Sequence, residues 1–221
     1  MAHARQPPRH VSFTRAELKS FTGGTLPDLI AEGVRLLFVG INPGLRSVAV
    51  QGHFAPRGNR FYPALLRAGI TDHLIDASAG LTASDRDYLL GRGVGITSLV
   101  ERATASAAEL GPAELAEGAR ALAGRVRPFG PHVVAILGVT AYRTAFGYPR
   151  AALGRQPEDL NDAQLWVVPN PSGRNAHAPL PLQARQSGDD QHAGGAIAQA
   201  AQDHDPPIFR REPGVELVTP Q

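Results

Sequence analysis

The chain has 221 residues, a formal net charge of +2, a sequence pI of about 9.4 and no cysteine. That length suits one buried domain of about 150 to 180 residues with tails, and the missing cysteines exclude disulfides, thiol nucleophiles and cysteine-held zinc or iron–sulfur clusters. No run approaches membrane-spanning length and no apolar core follows the basic Met1 to His10 segment, so a cytoplasmic chain without membrane association is expected, nucleoid-associated if bacterial.

Lys19 is the only lysine beside many arginines, a slight tilt toward an anionic partner. Residues 1 to 25 mix Pro, Arg, His and Gly and read as a flexible lead-in, with a short helix near Thr14 to Phe21 capped by Thr14. Val34 to Val39 reads as a buried parallel strand, and Gly40 and Gly44 bracket a loop that displays Asn42 at the strand end. Arg60 to Ala68 carries Phe61, Leu65 and Leu66 at helical spacing with Gly69 as a stop. Ser84 is expected to cap a helix to Leu90, and Gly93 to Leu99 reads as a brief strand and turn. Glu109 to Val126 is the clearest helix, with Leu115, Ala119, Leu122 and Val126 on one face. A strand at His132 to Leu137, a helix at Thr140 to Phe146 and a strand at Gln164 to Val168 follow.

Four strands alternating with helices predict an α/β fold: three α/β/α layers around a central, mainly parallel four-stranded sheet, over residues 26 to 183. Residues 184 to 221 have little apolar periodicity apart from an Ala-rich patch at Gly194 to Ala201 and read as a mostly flexible tail. Sheets of this kind bind ligands beyond the carboxyl ends of their strands. Two of the strands end in Asn/Pro/Gly loops: Gly40-Ile41-Asn42-Pro43-Gly44, and Pro169-Asn170-Pro171-Ser172-Gly173-Arg174-Asn175-Ala176-His177. On parallel strands both loops emerge at one edge and converge on one pocket.

These two motifs together resemble those of the mismatch-specific uracil/thymine DNA glycosylases of the uracil-DNA glycosylase superfamily. Between them Phe54-Ala55, Asn59-Arg60-Phe61, Ala68-Gly69, Gly95-Ile96-Thr97, Leu99-Val100 and Ala135-Ile136-Leu137-Gly138 fall in that family's order and approximate spacing. The similarity covers roughly residues 34 to 180.

The resemblance implies excision of uracil or a related damaged pyrimidine from DNA by cleavage of the N-glycosidic bond. A base inside a duplex must be flipped into a pocket to be reached. Phe54 is then the stacking platform, Ile41, Gly44 and Phe54 offer backbone groups to the base edge, and Ser47 bears on pocket clearance. Asn42 positions a water by hydrogen bonding, since a carboxamide is a poor base. Ser172, Gly173, Arg174, Asn175 and His177 are expected on the DNA. Arg174 stands where bacterial relatives carry an apolar wedge; its stem can fill the vacancy while its guanidinium reads the opposite base or a phosphate. Ser98 stands where relatives often bear a longer polar residue. The expected partner is uracil-containing, double-stranded DNA mismatched with guanine, the expected state a monomer, and no cofactor or metal is expected: His53, His132 and His177 show no metal-site spacing. Asn59 and Arg60 are read as loop buttresses.

The plain alternatives are a turn asparagine at Asn42, a core aromatic at Phe54 and a solvated Arg174. At the level of function the alternative is a noncatalytic DNA- or nucleotide-binding protein with the same fold.

Overall fold

In the computed structural model residues 11–172 are described. Five strands form one sheet in the order β2-β1-β3-β5-β4: β1 (Leu36–Gly40), β2 (Val94–Ser98), β3 (Val133–Leu137), β4 (Gly154–Leu160) and β5 (Ala163–Val168). The first four in space are mutually parallel, as the alternation of elements predicts; β4 pairs antiparallel on the outer side of β5. In β1, β2 and β3 every residue is buried, because helices cover both faces; β1 and β3 are accordingly apolar throughout, while β2 also buries Thr97 and Ser98 at its carboxyl end.

Successive side chains divide between two cores. Leu36, Phe38, Ile96 and Ala135 face Phe61, Tyr62 and Leu65 of α3 (Phe61–Arg67) and Leu89 of α4 (Ala83–Gly91). Leu37, Val39, Val134, Ile136 and Val167 face Leu115, Ala119, Leu122 and Val126 of α5 (Pro112–Val126), and Tyr142 and Ala145 of α6 (Val139–Phe146). The expected apolar stripe of α5 is therefore the face that meets the sheet.

Four expectations need correction. The sheet has a fifth strand, β4, whose exposed residues and Pro157 suit an edge and whose pairing is irregular between Arg155 and Asp159. Its turn uses Asn161 and Asp162, both left-handed at φ 51° and 68°, as a two-residue hairpin favours. A five-residue helix, α2 (Leu45–Ala49), directly follows Gly44. The cap of α4 is Thr82, not Ser84: Thr82 Oγ1 accepts the Asp85 N–H at 3.0 Å and Asp85 returns the contact to the Thr82 N–H at 3.1 Å.

The fourth concerns the lead-in. From Val11 onward it packs on the domain, with α1 (Arg15–Ser20) closed by the expected Thr14 cap in a box with Glu17. Phe21 packs with Leu26, Val48 and Ala103, and Arg46 donates to the carbonyls of Val11 and Ser78, both at 2.8 Å. Burial of Phe21 and Leu26 supplies the apolar contact that holds this segment down. No helix among the described residues is long and apolar enough to cross a membrane.

Candidate active site

Gly40 to Gly44 carries β1 past the carboxyl edge of the sheet and runs beside the segment that follows β2. Leu99 N–H donates to Gly40 O at 2.9 Å, Val100 N–H to Ile41 O at 3.0 Å and Thr104 N–H to Pro43 O at 3.3 Å. Residues 101 to 103 step out of this pairing, and the side chain of Asn42 spans the step. Its Nδ2 donates to Arg102 O at 3.0 Å and to Thr104 Oγ1 at 2.7 Å. A carbonyl only accepts, so the nitrogen of the carboxamide must face Arg102 and Oδ1 must point away. Among the described residues none donates to Oδ1.

The second loop leaves β5 on the same edge. Gly138 N–H donates to Val168 O at 2.8 Å, Ser172 N–H to Asn170 Oδ1 at 2.9 Å, and Arg60 N–H to Pro171 O at 3.0 Å. The two loops meet at Gly138, where a Cβ would lie 3.5 Å from Ile41 Cδ1 and 3.6 Å from Asn170 Cβ. Convergence of the loops, expected from parallel strands, is thus present as far as Ser172. Gly173, Arg174, Asn175 and His177 lie outside the described residues.

Phe54 stands over the first loop. Its ring is stacked on Phe61, and its Cζ would be 3.6 Å from a Cβ at Gly40, beside Ser98 Oγ at 3.5 Å. A Cβ at position 40 would therefore sit in ordinary van der Waals contact with the ring tip and Ser98, so packing does not demand glycine there. Gly44, the cap of α2, has an ordinary φ of −79° and open space where a Cβ would point; neither conformation nor packing demands glycine there. Ser47 is buried in α2.

Asn59 holds backbone as expected, its Oδ1 accepting the Phe61 N–H at 2.9 Å, and the backbone N–H of Arg60 joins the start of α3 to the second loop. Sequence reasoning passed over Thr104, which is buried and donates onward to Ser106 O at 2.8 Å. It also passed over His53 as a pin. His53 is buried, its Nε2 sits 3.0 Å from Pro27 O, and the carbonyl requires that nitrogen to carry the proton. Burial holds its pKa below the ordinary 6.5. Asp28 beside it accepts from Thr97 Oγ1 at 2.7 Å and faces Arg125, which donates to Ser98 O at 2.6 Å.

The open depression lined by Arg35, Gly93, Phe129 and His132 lies at the other end of the strands. It is remote from the carboxyl edge, where sheets of this class bind ligands, so the two converging loops form the candidate site.

Residues 27–187 match the family described as the uracil DNA glycosylase superfamily. The chain belongs to this superfamily. Membership makes DNA its class of partner and glycosylase chemistry its general role. The solution NMR structure of a "putative Uracil DNA glycosylase" from Methanosarcina acetivorans superposes with a TM-score of 0.50 at 14% identity, over 81% of this chain and 98% of that one. At that identity the likeness speaks for the uracil-DNA glycosylase fold.

Proposed function

We propose that this chain is a monofunctional glycosylase that hydrolyses the N-glycosidic bond of uracil in double-stranded DNA, acting best on uracil opposite guanine, as mismatch-specific members of the superfamily do. The observation that carries the reading is the fixed polarity of Asn42. With both Nδ2 hydrogens committed to Arg102 O and Thr104 Oγ1, Oδ1 is the atom left to accept from a water. Related damaged or mismatched bases fall within the same chemistry.

Glycoside hydrolysis normally uses two carboxylates flanking the bond, and the hydrogen-bond partners of Asn42 are a carbonyl and a hydroxyl. Uracil departs as an anion when amide donors stabilise the charge it develops, while the sugar becomes oxocarbenium-like. Asn42 then has only to hold the water on line. In this reading the flipped base stacks on Phe54, with Ile41, Gly44 and Ser47 around its edge. The open space at Gly44 supports close approach of a ligand to that backbone. Ser172, Gly173, Arg174, Asn175 and His177 hold the DNA, Arg174 fills the vacancy, and the protein acts as a monomer.

The test is a duplex oligonucleotide with one uracil opposite guanine, incubated with excess protein. Alkali-labile abasic product is expected, with a large loss in Asn42→Ala. Salt-dependent binding of the same DNA without product would instead favour a noncatalytic binder of the same fold.

A further inference from the structure

We propose that Thr104 is a positioning residue that fixes which way the Asn42 carboxamide faces; this rests on the glycosylase reading above. Asn42 Nδ2 donates to Thr104 Oγ1 at 2.7 Å, and that hydroxyl donates to Ser106 O at 2.8 Å. The chain has a pure acceptor at each end, Arg102 O and Ser106 O, so its direction is set: amide N–H to hydroxyl, hydroxyl to carbonyl. Rotating the carboxamide by half a turn would press Oδ1 against Arg102 O. It would also turn Oδ1 toward a hydroxyl whose single hydrogen is already committed to Ser106.

Both anchoring carbonyls are themselves held. Arg102 pairs through its side chain with Glu114 in the first turn of α5 and reaches Glu109 O at 3.5 Å. Ser106 starts the 3-10 turn Ala107–Glu109, where its N–H donates to Glu109 Oε1 at 2.7 Å. Thr104 is only 2% exposed and acts through Asn42. A bound water thus meets Oδ1, an acceptor, with the donor side of the amide turned inward. The hydroxyl, its own hydrogen held by Ser106 O, adds a second acceptor to Arg102 O; the two together hold the polarity of the amide, between whose orientations loop packing alone would not choose because carboxamide O and N are nearly the same size.

Thr104→Val removes the hydroxyl at constant shape, and Thr104→Ser keeps it. Expected under single-turnover excess on uracil opposite guanine is a rate about tenfold lower in Thr104→Val, the scale of one lost hydrogen bond, with Thr104→Ser within about threefold of wild type. Affinity for the same duplex bearing a stable abasic analogue should hold within about twofold. In Asn42→Ala, adding Thr104→Val should cost nothing further. A readout independent of turnover is the ¹⁵N spectrum: the Asn42 side-chain amide protons should exchange slowly in wild type and Thr104→Ser and quickly in Thr104→Val. If Thr104→Val does not fold, Thr104→Ala against Thr104→Ser makes the same comparison. Equal rates, or equal Asn42 proton exchange, with and without the hydroxyl overturn the Thr104 role while leaving the glycosylase reading intact. A wild-type protein that releases no base overturns the glycosylase reading and the Thr104 role with it.

Discussion

The ring of Phe54 lies 4.0 Å from that of Phe61 with the planes 27° apart, and to reach it the backbone of Phe54 adopts φ 55°. A left-handed aromatic residue costs about 1–3 kcal/mol and persists only where its surroundings impose it. Those surroundings are visible. Gly52 is so close to Gly80 that a Cβ would fall 2.9 Å from its Cα, and His53 is pinned on Pro27. Phe61 in turn meets Phe38 edge-on at 5.1 Å, so the sheet itself supports the ring.

If Phe54 is a stacking platform, Phe54→Leu should weaken capture of uracil DNA by about tenfold or more, since one base stacked on an aromatic ring contributes about 1–3 kcal/mol. The protein concentration giving half the maximal single-turnover rate measures this. Phe54→Gly separates ring from backbone: it relieves the strain at φ 55° yet should bind as poorly as Phe54→Leu. Unchanged half-saturation in both variants would make Phe54 a core aromatic.

Gly138→Ala should destabilise the protein by about 1–3 kcal/mol through its backbone, because its φ of 123° is one that L side chains rarely adopt. Space is available, with Ile41 Cδ1 at 3.5 Å and Asn170 Cβ at 3.6 Å from the new methyl carbon. Relief therefore comes by rotating the peptide, which displaces both loops. Urea denaturation gives the stability. The single-turnover rate should fall further than in Leu122→Ala, a core truncation in α5 of comparable or larger stability cost.

What the sequence revealed follows the physics of each element. Strands buried on both faces must be continuously apolar, so Val34 to Val39 and His132 to Leu137 were legible as parallel strands. The Asn/Pro/Gly loops mark themselves by composition. β4 was not legible because Pro157, Glu158 and Asp159 sit on an edge and the irregular pairing breaks its alternation; the Asn161-Asp162 turn was the available signal. The cap of α4 was misplaced because Ser84 before Asp87 has the same spacing as Thr82 before Asp85, so the capping-box pattern alone did not choose between them. Thr104 carries no local pattern, and its partnership with Asn42 exists only because the segments after β1 and β2 run side by side.

Asn42→Asp should change the pH dependence of the reaction. Wild type has no titrating base at this position, so its rate should be flat from about pH 5 to 9. A carboxylate there would face Arg102 O where Nδ2 now donates at 3.0 Å, and an acceptor opposite an acceptor raises its pKa. The variant's rate should therefore climb with pH through and above the usual carboxylate range. Its stability should fall by about 1–3 kcal/mol for the unpaired carbonyl, measured in urea.

His53 makes stability pH-dependent in a defined window. Burial, the dominant cause, holds its folded pKa below the 6.5 expected of the unfolded chain, so between the two values the unfolded state binds more protons. Stability therefore rises with pH through that window, is fully present above about 6.5 and is lost as pH falls toward the folded pKa. The Tm of wild type should drop as pH is lowered from about 7 to 5. His53→Gln, which keeps a donor for Pro27 O and does not titrate, should show a shallower slope over that interval. Asp72 belongs to a separate window: the Tyr88 hydroxyl, then His73, lower its carboxyl to about 2 from an ordinary 3.8, so its contribution is present above 3.8 and disappears in much stronger acid. Equal slopes between pH 7 and 5 in wild type and His53→Gln would place the acid-sensitive group elsewhere than behind Phe54.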